Sequence, residues 1–424
     1  MTAGYRLWVV IAGLVTLILI PLFLSESEQG YYFTFASLLT LQVFFELGLA
    51  QVIIQLAARK GIDLDAVEWI QISGSPNVRA NVQRLAVVAH HWYLIAAMLF
   101  AIGVGGLGSL YMHLVLDIES YYVFVWLIMV AFASVNLYFS SRFAILDGLG
   151  LVANSARVRL LQSIGGYTIA WLLLIMNGGI ISMTCIPAVS AILAFFSMRS
   201  YGKGLLTLTD MPSEDVIWAR DIFPMQWRIA VSWVSGYFMF QIFTPTIFYT
   251  QGPEEAGRIG LALAGFSAIQ SIGMSWVTAK APVFSKLIFQ DSKRELDALF
   301  NRLVFQSFTF TSMIIAATIG CAFLLRFFDL PLSTRMPDLL ILSILGIVSI
   351  VNLLVYAMAT YLRAHCEEPM TSVSVLSALI TLCGVICFAG YGSKTILLVY
   401  LGTALFVTLP WTYKIFIDKR KFSQ

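Results

Sequence analysis

The chain has 424 residues, of which 59% are apolar and 12% charged, and a net charge of +3. Soluble domains carry about 25% charged and roughly 45 to 50% apolar residues, so this composition excludes a water-soluble globule and demands burial in lipid. A charge this small also gives no sign of nucleic acid as a partner.

A lipid-crossing helix needs about 20 mainly apolar residues, because its backbone amides must be paired within the segment. Twelve segments qualify: Leu7–Leu24, Tyr31–Ala57, Leu85–Leu107, Tyr122–Ser141, Leu160–Met176, Gly179–Met198, Ile229–Thr250, Ile259–Ala279, Leu303–Leu325, Leu339–Leu362, Met370–Ala389 and Thr395–Trp411. The first runs into Ser25-Glu26-Ser27-Glu28 without an Ala-x-Ala-like cleavage site, which predicts a retained helix rather than a signal peptide. The fifth and sixth share one apolar run, and the turn signal Asn177-Gly178-Gly179 divides them. The expected fold class is therefore all-α, a polytopic membrane protein of 12 transmembrane helices.

Orientation follows from the basic residues. With the N-terminus in the cytoplasm, 22 of the 26 Lys and Arg fall on the cytoplasmic side, and only Arg258, Arg326, Arg335 and Lys394 fall on the other. Such a bias predicts both termini inside and an even number of spans. The external loops are then too short to hold the site of a polymerase or ligase, and the absence of GxxxxGK[ST] excludes an ATP-driven pump. What remains is a transporter or a subunit of a larger membrane complex, and no enzyme is expected.

The longest charged stretch, Arg199–Arg228, lies near the midpoint. It predicts a six-helix lobe over residues 1–198, a cytoplasmic linker over 199–228 and a second lobe over 229–424. Two echoes fit a repeat: Glu28-Gln29-Gly30 with Glu255-Ala256-Gly257, and Val135-Asn136-Leu137 with Val351-Asn352-Leu353. The five cysteines, Cys185, Cys321, Cys366, Cys383 and Cys387, have no metal-type spacing and read as small core residues.

A charged group at membrane depth costs about 2.5 kcal/mol or more, so each one is a functional candidate. Glu46 lies mid-span with Gln42 one turn before it, which suits a lumen carboxylate that takes a proton or binds a coupling cation. Gln51, Gln55 and Arg59 lie nearly opposite on the same helix, an arrangement that cannot serve one cavity from both faces. Ser267, Ser271, Met274 and Thr278, flanked by Gln270, form a stripe on the eighth span. Ser349, Asn352, Tyr356 and Arg363 form another on the tenth, and Arg228, Ser232 and Ser235 a third on the seventh. These stripes suit a water-filled path, the alternative being interhelical hydrogen bonding. Arg6, Arg59, Arg142, Arg228, Lys280, Arg302 and Arg363 cap spans at their cytoplasmic ends. Those that turn inward would form a cationic vestibule, because the guanidinium fork matches phosphate. His90 and His91 open the third span as partly hydrated imidazoles, with a proton relay as the alternative.

Three stretches carry a resemblance: Glu28-Gln29-Gly30-Tyr31-Tyr32-Phe33-Thr34-Phe35 through Phe44-Phe45-Glu46-Leu47-Gly48-Leu49; Ala144-Ile145-Leu146-Asp147-Gly148-Leu149-Gly150 with Arg157 and Arg159; and Leu362-Arg363-Ala364-His365 with Glu368-Pro369. The chain resembles the O-antigen and polysaccharide flippases (Wzx type) of the multidrug/oligosaccharidyl-lipid/polysaccharide (MOP) exporter superfamily. This resemblance implies a V-shaped, MATE-like pair of six-helix lobes in the inner membrane. It also implies translocation of an undecaprenyl-pyrophosphate-linked glycan by alternating access, with a polysaccharide polymerase and chain-length machinery as partners. Arg59, Arg142 and Arg363 become the first choices for pyrophosphate, supported by Arg6, Arg228, Lys280, Gln270, Asn352 and Tyr356, while Glu46 and Gln42 serve a coupling ion or proton. No cofactor is implied, and the coupling gradient, H+ or Na+, is left open. A cation-coupled multidrug exporter of the same superfamily and a non-transporting component of a glycan-assembly complex are the alternatives.

Overall fold

A computed structural model describes residues 2–61, 65–68, 71–73, 76–205, 218–365 and 370–422. The expected linker over 199–228 therefore falls partly outside the described residues, as do Cys366 and the Glu368-Pro369 pair.

The chain is a multi-pass integral membrane protein. Helix α1 spans Thr2–Phe23, and the second span follows as α2 (Glu26–Leu39), a 3-10 turn (Thr40–Gln42), α3 (Val43–Glu46) and α4 (Leu49–Lys60). A short antiparallel hairpin, β1 (Asp65–Glu68) with β2 (Gln71–Ser73), follows α4 in a chain whose other described elements are helical. Next come α5 (Pro76–Phe100), a π-helical turn (Ala101–Leu107), α6 (Gly108–Leu114), α7 (Ser120–Gly148), α8 (Val152–Ile175) and α9 (Cys185–Leu205). The divide between α8 and α9 falls at the foreseen turn, where Asn177 and Gly179 take positive φ.

The remaining helices are α10 (Phe223–Phe240), α11 (Phe243–Gln251), α12 (Pro253–Phe289), α13 (Lys293–Phe327), α14 (Leu339–Ala364), α15 (Thr371–Phe388), α16 (Ser393–Thr403) and α17 (Leu409–Phe422). Ten helices among the described residues are long and apolar enough to cross a membrane, and the bent second span makes eleven. The expected seventh span is the one missing from a count of twelve, because it breaks between α10 and α11. Pro245 has no N–H to offer the carbonyl of Gln241 four residues back, so the ladder opens there. The Ser37 hydroxyl donates to that carbonyl instead.

Two compact units emerge, one built from residues 1–19 and 38–234, the other from 20–37 and 235–424. The chain thus changes unit within α1, within α2 and within α10. In the second unit, Phe243, Phe266, Ile315, Leu345 and Tyr400 form one apolar core, and Phe284, Phe300, Tyr361 and Phe416 form another. In the first, Phe139, Phe143, Leu146 and Ala194 pack together. Large apolar side chains such as Leu99, Ile102, Phe196, Phe305 and Phe406 face outward, as lipid-facing surfaces require. Three cysteines join them: Cys321, Cys383 and Cys387 are exposed and Cys185 is half-buried. The core assignment is corrected accordingly, since a sulfur is apolar enough for lipid to solvate.

Both sequence echoes acquire a physical meaning. Asn136 on α7 donates to the carbonyl of Pro187 on α9 at 2.9 Å and accepts from Ser190 at 2.9 Å. Asn352 on α14 donates to the Tyr400 hydroxyl on α16 at 2.9 Å. Each amide ties its span to the one two further along. The other echo meets itself in the second unit, where Gln29 Nε2 donates to the Gly257 carbonyl at 2.9 Å.

One end of the second unit is closed by ion pairs. Arg258 binds Glu26 at 3.0 Å, Thr334 donates to Glu26, and Ser393 donates to Glu255. Asp338 accepts from Lys394 at 2.7 Å and faces Arg326 at 3.6 Å. All four basic residues that the charge count assigns to the far side gather here, Arg335 among them through its carbonyl bond to Gln29. The Lys394 hydrogen bond, with the charges of Lys394, Arg326 and Arg258, lowers the Asp338 carboxyl below its ordinary value against a smaller opposing effect of burial. A depressed carboxylate stabilises the fold above its unfolded value and loses that contribution as pH falls through the folded one. Asp338→Asn is therefore expected to melt below the parent protein at pH 7 and to lose that deficit progressively at low pH, below the ordinary aspartate value of about 3.9. Thermal denaturation in detergent at pH 7 and at low pH checks this, and a deficit that persists at low pH would assign the effect to packing.

Candidate functional site

The first unit holds a polar cluster that begins at a break in the second span. Leu47 and Gly48 both adopt the left-handed conformation, with φ of 49° and 68°. This bends the span by 47°. A left-handed residue other than glycine costs roughly 1–2 kcal/mol, so Leu47 sits there under tertiary constraint. Gly48 is needed twice over, because a Cβ would also lie 2.3 Å from Ile229 Cγ2 of α10. The break resolves the conflict of two polar faces on one helix. Gln42 and Glu46 belong to the 3-10 turn and α3, whereas Gln51, Gln55 and Arg59 form an exposed row on α4, whose other face buries Leu49, Val52, Ile53 and Ala57.

Glu46 points at α5, where fully buried Tyr93 donates to its Oε1 at 2.9 Å. Gln42 is a second hydrogen-bonding partner of the same carboxylate. Among the described residues, no cation pairs with it. One turn before Tyr93 on α5, His90 Nε2 lies 2.8 Å from the Tyr138 hydroxyl of α7, with the two rings 4.6 Å apart. Arg142, one turn beyond Tyr138, sets its guanidinium 5.7 Å from the Tyr138 ring centre and 5.1 Å from that of Phe139. It is half-buried and meets no carboxylate among the described residues, and its Nε has no partner there. Buried opposite charges normally find each other. The Asp147–Arg159 pair at 3.0 Å does so in this very unit. Glu46 and Arg142 instead each rest on a tyrosine, leaving one centre for a cation or proton and one for an anion.

Of the residues chosen from sequence, the structure pairs Gln42 with Glu46, while Arg142 lies against Tyr138 and Phe139. Arg6, Arg59 and Lys280 are exposed at their helix surfaces, and exposed Arg228 leans on its neighbour Trp227 at 5.8 Å. Gln270 is half-buried on α12, while Arg363 is exposed near the end of α14. Tyr356 is 37% exposed and lies 6.3 Å from Phe240. Along the three stripes, Met274, Ser349, Asn352 and Ser235 are buried while Ser267, Ser271, Thr278, Tyr356 and Arg363 are exposed. Asn352 uses its amide to hold Tyr400, which is why it turns inward. The Asp147-Gly148 motif builds the α7–α8 turn, with Asp147 accepting from Ser155 and Arg159. Tyr93 and Tyr138 were not foreseen, although each lies one turn from an ionisable residue of the cluster, Tyr93 after His90 and Tyr138 before Arg142.

No family model matches the sequence, and no curated protein matches it. Solved structures do. The inward closed conformation of the lipid II flippase MurJ aligns with a TM-score of 0.65 at 15% identity, covering 100% of this chain and 90% of that one. An inward-facing multidrug resistance MATE family transporter of the MOP superfamily aligns at 0.62 and 13% identity, covering 98% and 100%. A MOP superfamily transporter from Pyrococcus furiosus Vc1, described as having a binding pocket of reversed polarity that suggests a different function, aligns at 0.55 and 12%, covering 100% and 93%. Along its whole length the chain has the fold of MOP superfamily transporters, MATE exporters and the lipid flippase MurJ among them.

Proposed function

We propose that this protein is a flippase that carries an undecaprenyl-pyrophosphate-linked oligosaccharide from the cytoplasmic to the outer leaflet of the inner membrane by alternating access. In this reading both termini are cytoplasmic, the two six-helix lobes span 1–198 and 229–424, and a polysaccharide polymerase with its chain-length machinery receives the product. The observation that carries it is the pair of unmatched charges in one unit. Arg142 is a guanidinium without a carboxylate, suited to a pyrophosphate oxygen. Glu46 is a carboxylate without a cation, placed at a broken helix of the kind that binds coupling ions in transporters. The fold shared with a lipid flippase supports a lipid-linked cargo. Arg59, Arg228 and Arg363 are exposed and would face the cargo in this reading, and Arg6, Lys280, Gln270 and Tyr356 remain further contacts in the proposal.

Deletion of the gene should leave lipid-linked repeat units on the cytoplasmic leaflet and remove the surface polysaccharide, as read by extraction of lipid-linked sugars and surface glycan staining. Normal surface glycan in the deletion strain would overturn the proposal. The second reading, a cation-coupled multidrug exporter, is favoured by the whole-length match to MATE structures and by Glu46, which suits a cationic drug. It is disfavoured by Arg142. Increased sensitivity of the deletion strain to cationic dyes, with intact glycan, would select it.

A further inference from the structure

The Arg142 centre contains more than one donor. A phenol donates more readily than it accepts, and the Tyr138 hydroxyl meets no other acceptor among the described residues. The single phenolic proton is then free for His90 Nε2, 2.8 Å away. A neutral imidazole that accepts at Nε2 carries its proton on Nδ1. That Nδ1 is buried and meets no acceptor among the described residues, and the Nε of Arg142 is in the same state. Both groups flank the same Tyr138 ring. Leaving a buried donor unsatisfied is costly, yet the sequence has two of them beside a guanidinium charge. An acceptor of at least two hydrogen bonds with negative charge would satisfy all three features.

We infer that His90 is a second ligand of an oxyanion site built on Arg142, with Tyr138 orienting both, and that the site takes a phosphate or pyrophosphate group. The inference deepens the flippase reading and rests on it for the identity of the cargo. Arg142 supplies charge, while His90 supplies a directed N–H whose tautomer is set by the Tyr138 hydroxyl. His91 and Tyr93 on α5, Glu46 on α3 and Tyr138 with Arg142 on α7 are the titratable groups around it. On α4 the charges of Arg59 and Lys60 lie in the last turn of the helix.

The test is equilibrium binding to the purified full chain in nanodiscs of neutral lipid, followed by tryptophan fluorescence. The probes are inorganic phosphate, inorganic pyrophosphate, geranyl pyrophosphate and phosphatidylglycerol added to the disc. His90→Ala is expected to weaken pyrophosphate and geranyl pyrophosphate about tenfold, one hydrogen bond to a charged group. Tyr138→Phe, which leaves both ligands in place but frees the imidazole tautomer, should weaken them about threefold, and it keeps the idea testable if His90→Ala fails to fold. Geranyl pyrophosphate stronger than pyrophosphate would identify a lipid-linked source, and equal affinity a free anion. Tight binding only to phosphatidylglycerol discs would overturn the site. Unchanged affinity in His90→Ala, with loss in Arg142→Ala, would remove His90 while sparing the flippase reading. Binding unaffected by either change would remove the site altogether.

Discussion

Glu46→Gln is expected to abolish transport while leaving the protein folded. Glutamine is isosteric with glutamate and keeps an Oε1 that can accept from Tyr93, so the contact at 2.9 Å survives. What disappears is the capacity to lose or gain a charge at the break between α3 and α4. A group that costs about 2.5 kcal/mol or more to hold at membrane depth is retained for a reason, and if that reason is coupling, turnover should fall about 100-fold or more, roughly 2.7 kcal/mol of barrier. Complementation of the deletion strain at matched protein level reads the effect, and the melting temperature in detergent shows whether the fold is intact. Full complementation would reduce Glu46 to a packing residue. Tyr93→Phe offers an intermediate case: it removes the donor but not the carboxylate, so its activity should shift along the pH axis rather than vanish.

Gly30→Val should destabilise the second unit by about 3 kcal/mol, at the upper end of overpacking penalties. A Cβ at Gly30 would lie 1.8 Å from the Pro253 carbonyl oxygen and within 2.8 Å of two further backbone atoms of that residue. No side chain can rotate away to make room. Gly257 and Gly260 give α12 the matching face, since their Cβ atoms would meet Gly30 N at 2.8 Å and Phe33 Cβ at 2.4 Å. Small residues at such a crossing let two backbones touch, and dispersion is what holds helices together where lipid removes the hydrophobic drive. Gly265→Ala on the same helix α12 has nothing within 4 Å of its Cβ and serves as the control. It should stay within about 0.5 kcal/mol of the parent. A thermal unfolding series in detergent separates the two, and a neutral Gly30→Val would mean that α2 does not pack on α12.

Membrane residence and the placement of most spans are legible without coordinates, because a lipid-crossing helix imposes its length and apolarity on the chain directly. Proline and glycine chemistry explains the departures. Pro245 breaks the seventh span through the carbonyl of Gln241, and Leu47-Gly48 breaks the second. The Gly48 signal was present in the sequence, but a left-handed leucine before it was not, since only Ile229 packed against the break and the helices on either side hold Leu47 there. Glu46 stood out on charge alone. Its partner Tyr93 did not, because a tyrosine in an apolar helix looks like any other aromatic until the residue across from it is known. The same holds for His90: at the mouth of the third span it resembles an interfacial imidazole, and only the approach of α7 shows that it faces Tyr138.

Composition and hydropathy thus decided by themselves that this is a polytopic membrane protein, since those properties act on every residue independently. Which ionisable groups are paired was decided by tertiary structure. Nothing in the spacing separates Arg159, neutralised by Asp147, from Arg142, which leans on Tyr138 and meets no carboxylate, nor Asn352, spent on Tyr400, from a residue free to meet a ligand. Pairing depends on what a different helix presents at the same depth, and that is a property of packing.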